Sequence, residues 1–529
     1  MDKALEMGKV SATGSFQLFI GVAVSTIIMA VGTIILARLM SPEEYGLYSI
    51  ALIPSYMVIL FRDWGVNSAI IKYTAYLRAE NKEEDIRSII SAGLIFEIAT
   101  GIALSLISLL LANFIAITIF HRPESTSLIA MASVTIFLGS LLTAAQSSFI
   151  GFERMELNSL TTICQAIAKS VASPLLVFVG YSALGAVLGY TVSFIAAALI
   201  GLTALYFSIF KSLKTKNSQK SGLSGTLKKM LHYGVPLSIS SILTGFLVQF
   251  YAFLMVIYCT DTMIGNYQVT TQFATLLTFF TIPISTVLFP AFSKINQQNE
   301  HGLLQTVFAS SVKYTAIILV PATMAMIFLS EPMISTLFGE KWTYAPFFLT
   351  LYVINSLFAI FGSLSLGSLL AGLGETKTIM KLSLLTLSFG IPLAFLLIPT
   401  LGIVGVILTS IIAGLPSMFS GLYWIWKRYG AKADFQSSTR IIMASAIAAV
   451  TAHLSMNFLN ITDWIELAMG GTIFLAVYIL AAPIIGAVSQ SDINNLRAML
   501  SGLGIVSKLI NIPLALAERV ANLHSVWRK

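Results

Sequence analysis

Residues 88–112 read SIISAGLIFEIATGIALSLISLLLA, an apolar run whose single charge is Glu97. A helix rises 1.5 Å per residue, so about twenty residues cross a ~30 Å hydrocarbon layer. This run is long enough to span a bilayer and too apolar to sit in water. Similar runs recur at 14–37, 47–71, 126–150, 157–180, 183–210, 233–257, 265–290, 303–329, 344–370, 377–398, 402–426, 438–459 and 465–488. Together they predict an all-α polytopic membrane protein of about fourteen transmembrane helices. Composition agrees: 57% of the 529 residues are hydrophobic and only 10% charged, with a mean hydropathy of +0.87. A soluble chain carries about 25% charged residues, so an array of soluble domains is excluded. Connections between the runs are short and leave no room for a catalytic domain.

The net charge of +8 does not point to nucleic acid, because the basic residues form no single patch. Their placement reports topology, since Lys and Arg gather on the cytoplasmic side of short loops. With the N-terminus inside, that side receives Lys72, Arg78, Lys82, Arg87, Arg154, the 211–229 lysines, Lys377, Lys381, Lys427, Arg428 and the tail. The other side receives Arg38, Arg122 and Lys341. The asymmetry predicts cytoplasmic N- and C-termini and an even number of spans. The first run is too long for a signal-peptide core and is expected to be a retained span. Cys164 and Cys259 match no ligand spacing, the histidines are scattered, and neither a disulfide nor a metal site is expected.

The two halves resemble each other. Pro42-Glu43-Glu44-Tyr45-Gly46-Leu47-Tyr48 has a counterpart in Thr262-Met263-Ile264-Gly265-Asn266-Tyr267, and Ile150-Gly151-Phe152-Glu153-Arg154 in Ala371-Gly372-Leu373-Gly374-Glu375-Thr376-Lys377. Leu184-Gly185-Ala186-Val187 likewise echoes Leu401-Gly402-Ile403-Val404. All three lie near one offset, and six spans separate equivalents, which makes the repeats parallel. The expected organisation is a six-helix N-lobe at 1–210, a basic cytoplasmic linker at 211–232, a six-helix C-lobe at 233–426 and two extra helices at 438–488. An amphipathic cytoplasmic tail follows at 489–529, with Leu496, Met499, Leu500 and Leu503 on one face. Two such lobes are expected to enclose a cleft that alternates its access.

Charges inside the spans are the candidate site. Lys169 falls about 18 Å into the fifth span and Lys313 about 15 Å into the ninth, and neither has an acidic neighbour within a helical turn. Arg62, beside Asp63, lies at the inner end of the second span, and Glu97 enters the third from the same side. An ionised group facing lipid costs at least ~2.5–3.5 kcal/mol, so these residues are expected to face a cavity or one another. Arg62, Lys169 and Lys313 are the substrate-binding candidates, with a cationic cavity suited to a phosphate or pyrophosphate. Asp63, Glu97, Gln165 and Gln249 are secondary polar or charge-pair candidates. For Arg62 a bridge to Asp63 or Glu97, or snorkelling, stays open as a purely structural role, and the glutamines equally serve as interhelical glue. The sequence holds no G-x-x-x-x-G-K-[ST], H-E-x-x-H or G-x-S-x-G, so no catalytic residue, metal or cofactor is expected.

Ile34-Ile35-Leu36-Ala37-Arg38-Leu39-Met40-Ser41-Pro42-Glu43-Glu44-Tyr45-Gly46 resembles the first loop of the polysaccharide-repeat-unit flippases, L-A-R-x-L-x-P-x-x-Y-G. These belong to the multidrug/oligosaccharidyl-lipid/polysaccharide exporter superfamily. Asp63-Trp64-Gly65 is similar to that family's D-x-G motif, and Gly372-Leu373-Gly374-Glu375-Thr376-Lys377 to its loop before the eleventh span. The resemblance implies fourteen helices in two six-helix lobes plus two. It implies transport of polyprenyl- or dolichyl-linked oligosaccharide across the cell membrane, with glycan-assembly enzymes as further partners and no nucleic acid. It also implies that cationic cavity residues hold the pyrophosphate. A cation-coupled multidrug exporter of the same superfamily is the second reading, in which Asp63 or Glu97 titrates. A membrane glycosyltransferase or polymerase is the third, and the short outer loops oppose it.

Overall fold

The computed structural model describes residues 2–80, 82–213, 222–277, 292, 301–457, 461–500, 511 and 514–520. Within them the regular elements are helices and none is a strand. In chain order they are α1 (Asp2–Leu39), α2 (Pro42–Ile59), α3 (Val66–Ala79), α4 (Glu83–Phe114), α5 (Thr126–Gly151) and α6 (Met155–Leu176). Next come α7 (Ser182–Leu205), α8 (Leu223–Tyr258), α9 (Asp261–Ala274), α10 (His301–Phe328), α11 (Ser330–Phe338) and α12 (Ala345–Val353). The last are α13 (Ser363–Gly372), α14 (Thr376–Leu401), α15 (Ile403–Tyr429), α16 (Phe435–Asn457), α17 (Asp463–Ile485) and α18 (Gln490–Leu500).

Ten described stretches are long and apolar enough to cross a membrane, or eleven when the bent pair Ala345–Phe361 and Ser363–Gly372 counts as one span. One of them, Met155–Phe210, has 56 residues, about 84 Å as a straight helix. It turns back at Gly180 and Ser182, both at positive φ, so α6 and α7 are two crossings. The expected total of about fourteen is not reached among the described residues. Residues 278–291, which include half of the expected eighth span, lie outside them, and the expected second span, 47–71, is not one helix. It breaks between Ile59 and Val66 into α2 and α3.

The loop signature 41–46 has a local explanation. The Ser41 hydroxyl accepts from the Glu44 amide at 3.2 Å, and the Glu44 carboxylate accepts from the Ser41 amide at 2.9 Å. This reciprocal box satisfies two orphan donors, and Pro42 sits at the first helical position where its missing N–H costs nothing.

The chain forms two compact units, Met1–Gln268 with Ala394–Val406, and Val269–Leu393 with Ile407–Lys529. α8 therefore packs with the N-terminal unit, and it begins at Leu223, inside the expected 211–232 linker, so Lys228 and Lys229 are helical. In the N-terminal unit α1 packs on α6, α6 on α7, α7 on α5 and α5 on α4. Small residues weld these seams. A Cβ added to Gly32 would lie 2.2 Å from Ser170 Oγ on α6, and one on Gly189 2.3 Å from the Ser173 amide. The Ser170 hydroxyl donates to the Ile28 carbonyl at 3.0 Å. In lipid such close approach, rather than a hydrophobic drive, holds helices together.

The C-terminal unit is centred on α10. One face packs Phe308 and Val312 against Leu366 and Leu369 of α13 and Ile425 of α15. The other packs Tyr314 and Ile317 against Ala444, Ala448 and Ala452 of α16 and Phe474 and Tyr478 of α17. The tail helix α18 joins this second core through Ile493 and Leu496, both buried. Leu496 was expected on a membrane-surface face; it is instead a packing residue. The side chains of Met499, Leu500 and Leu503 lie outside the described residues.

Candidate substrate-binding site

The break between α2 and α3 falls on the D-x-G-like motif. Trp64 and Gly65 take positive φ, 48° and 76°, in the turn that leads into α3. The Asp63 carboxylate accepts from the Asn67 amide at 2.8 Å, placing a negative charge at the start of α3 where the helix dipole favours it. Glycine is required at 65 because α8 passes against it. An added Cβ would lie 2.2 Å from the Gly234 carbonyl.

The break directs Arg62 into the unit. Arg62 is 6% exposed and Glu97, on α4, fully buried. The Arg62 Nη2 donates to Thr143 Oγ1 of α5 at 2.9 Å, and its Nε lies 3.4 Å from Glu97 Oε2. Asn67 Nδ2 donates to the other oxygen of Glu97 at 2.7 Å. Sequence placed Arg62, Asp63 and Glu97 near one end of two spans and left their bridge open; the structure brings all three together. Asn67 and Thr143 were missed. Asn67 carries a readable signal, four residues beyond a capping aspartate, whereas Thr143 has none.

A second cation continues from this cluster. Arg62 Nη1 and the Phe194 ring both pack at Gly139 of α5, and Phe194 meets Tyr190 of α7 edge-on at 5.1 Å. Lys169 Nζ lies 5.1 Å from the Tyr190 ring, a distance at which a cation is attracted to the ring face. The Tyr190 hydroxyl lies 3.2 Å from that of Tyr56 on α2. Lys169 is half-buried and has no carboxylate partner among the described residues. Gln165, one turn earlier on α6, shares its side of the helix. Gln249 is half-buried on α8. Arg62 and Lys169 thus end one row of aromatic and polar side chains inside the N-terminal unit.

Lys313 behaves otherwise. The sequence suggested a lysine without an acid nearby, but its ammonium lies 2.6 Å from the Asp492 carboxylate of α18. Next to it, Asn495 donates to the Tyr314 hydroxyl at 2.8 Å. Asp492 is 179 residues away in sequence, beyond any local pattern. Lys313 anchors the tail helix through an ion pair, which corrects the expectation that it is an unpartnered cavity charge.

A helical, multi-span chain with partly neutralised charges inside a small-residue-welded bundle is a polytopic membrane protein. The family model described as polysaccharide biosynthesis protein matches residues 35–346, and the chain belongs to that family. This bears out the expected membership among the polysaccharide-repeat-unit flippases. The chain is 21% identical over 453 residues to membrane protein MJ1068 of Methanocaldococcus jannaschii, covering 83% of this chain and 88% of that one. It is 27% identical over 301 residues to a probable lipid II flippase MurJ of Helicobacter pylori, covering 53% and 64%. With the lipopolysaccharide biosynthesis protein WzxC of Escherichia coli the figures are 24% over 395 residues, 72% and 73%. Among solved structures, a lipid II flippase MurJ in an inward closed conformation superposes with a TM-score of 0.69 at 18% identity, covering 88% and 98%. A multidrug-resistance transporter of the same superfamily follows at 0.65, with 16% identity, 77% and 94%. At these identities the superpositions establish the fold alone.

Proposed function

We propose that this protein is a flippase moving polyprenyl- or dolichyl-(pyro)phosphate-linked oligosaccharide from the cytoplasmic to the outer leaflet of the cell membrane, by alternating access, with both termini cytoplasmic. The observation that carries this reading is the row from Arg62 to Lys169, where a cation with no carboxylate partner among the described residues sits by the Tyr190 ring inside the N-terminal unit. A lipid-linked glycan brings phosphate charge and many hydroxyls, and burying each without a partner costs several kcal/mol. Lys169 offsets the charge and the tyrosines the hydroxyls, while the lipid tail stays in the bilayer. Arg62, shared with Glu97, is the second phosphate contact, and Gln165 and Gln249 are polar contacts for the glycan. The names of the flippase relatives support the same direction.

A cationic drug would favour an interior carboxylate without a basic partner. Asp63 caps α3, and Glu97 is engaged by Arg62 and Asn67, so the drug-exporter reading is the weaker. The test is a deletion strain complemented with Lys169→Ala. Loss of surface glycan with normal membrane insertion is expected. Normal glycan together with hypersensitivity to cationic dyes in the deletion strain overturns the reading in favour of drug export.

A further inference from the structure

One end of the N-terminal unit is fastened by residues the transport site does not use. Past α4 the chain turns through His121 at positive φ and aims Arg122 at the junction of α8 and α9. The Arg122 Nε pairs with the Asp261 carboxylate. Its Nη1 donates to the carbonyls of Phe120 and Val256 at 2.9 and 2.7 Å, and its Nη2 to that of Cys259 at 2.7 Å. Val256 and Cys259 end α8, so the guanidinium satisfies orphan carbonyls and complements the negative end of the helix dipole. Arg122 therefore makes four charge-assisted contacts at one spot, and loses the three to Asp261, Val256 and Cys259 together if α8 and α9 move away.

Beside it, two helix starts cross at backbone distance. A Cβ on Gly46 would lie 2.0 Å from the Asp261 carbonyl, and one on Gly265 would lie 1.9 Å from the Pro42 carbonyl. The contact is reciprocal. Gly46 and Gly265 are 219 positions apart, as are Pro42 and Asp261, the offset that relates the two repeats. Equivalent helix N-termini of the two repeats touch each other through glycine, and Arg122 locks the place where they meet.

We propose that Arg122, Asp261 and the Gly46–Gly265 crossing form the outer gate of the transporter, closed in this structure and opened once per cycle by withdrawal of Arg122 from Asp261. The assignment to the outer side rests on the proposed topology, and the need to open rests on the flippase reading. The gate itself is read from contacts that do not depend on what is carried. A latch of this kind holds by geometry rather than by apolar burial. It is strong when all four acceptors are aligned and weak once one helix tilts, because charge-assisted bonds fall off steeply with misalignment.

A native reporter is already in place. Cys259 is buried under the latch, with Gly402 of the α14–α15 turn facing its sulfur at 3.6 Å from the glycine's Cβ position. Burial pushes its thiol up to about 11, against the lowering effect of Arg122. That leaves the reactive thiolate much scarcer near neutral pH than on a free cysteine. Opening the gate uncovers the sulfur and removes the burial.

The experiment uses the full chain with Cys164→Ser, leaving Cys259 as the single thiol, and a membrane-impermeant maleimide added to intact cells. Slow labelling is expected in this parent, and at least about tenfold faster labelling when Asp261→Asn or Arg122→Gln loosens the latch. Gly46→Ala keeps both charges but drives a methyl into the Asp261 carbonyl, so it should give the same acceleration. A monodisperse elution profile equal to the parent's separates an opened gate from an unfolded chain. Labelling unchanged in all three variants overturns the gate, and so does acceleration seen only when the reagent reaches the cytoplasmic face. The first result leaves the flippase reading untouched and the second bears only on its topology; transport itself fails on the transport assay.

Discussion

Arg62 shows how a charge is tolerated where hydropathy forbids it. Its guanidinium has Thr143 and Glu97 as partners, and Glu97 in turn has Asn67. Removing one member of a buried pair strands the other, at about 3–5 kcal/mol. Arg62→Ala is therefore expected to lower the melting temperature in detergent sharply, and adding Glu97→Gln to recover part of the loss. An unchanged melting temperature for Arg62→Ala would contradict the pairing. The Lys313–Asp492 pair predicts the same non-additivity in the C-terminal unit. Lys313→Met alone is expected to destabilise more than Lys313→Met combined with Asp492→Asn, by thermal unfolding, because the double variant leaves no lone carboxylate. Equal effects would mean that the pair carries no coupling. The sequence exposed Arg62 and Glu97 because a charge in an apolar run is visible at once. Lys313 misled because its acid lies on another helix, and only the folded chain sets the two side by side.

At the scale of the element, apolar length identified the spans, but length cannot report a dihedral angle. The run 47–71 reads as one helix because its only charged interruption is Arg62-Asp63, yet Trp64 and Gly65 turn the backbone left-handed within the break that splits it. The D-x-G spacing held the missing information. An aspartate two residues before a glycine both caps the following helix and marks the residue where a side chain has no room. Gly65→Ala is accordingly expected to abolish transport and lower stability. The left-handed backbone alone costs roughly 1–2 kcal/mol for a residue with a Cβ, and that Cβ meets the Gly234 carbonyl. Wild-type stability and transport in Gly65→Ala would show that α3 and α8 separate freely at this point. The seams between α1 and α6 and between α6 and α7 rest on close approach at Gly32 and Gly189. Gly32→Leu is expected to reduce the folded yield in membranes, scored by protease resistance, whereas the same change at the unconfined Gly367 should be tolerated.

For the whole molecule, the distribution of lysine and arginine and the repeat offset carried most of the reading, since both survive errors in any one helix boundary. The offset near 220 that first appeared as three weak matches is also the one at which Gly46 and Gly265 touch. The assignment of α8 to the N-terminal unit was not legible, because a basic linker marks a change of composition and not of packing partner. The proposed flippase role requires Lys169 to supply charge for a phosphate-bearing lipid crossing the membrane. Its most direct test is reconstitution of the purified chain in liposomes with a fluorescent polyprenyl-diphosphate oligosaccharide, following loss of inner-leaflet signal to an impermeant quencher. The wild type should translocate the lipid, and Lys169→Ala should slow it at least about tenfold while Lys169→Arg retains most of the rate. Equal rates for Lys169→Ala and the wild type, or transport of a neutral polyprenyl-linked glycan as fast as the diphosphate, would contradict the account.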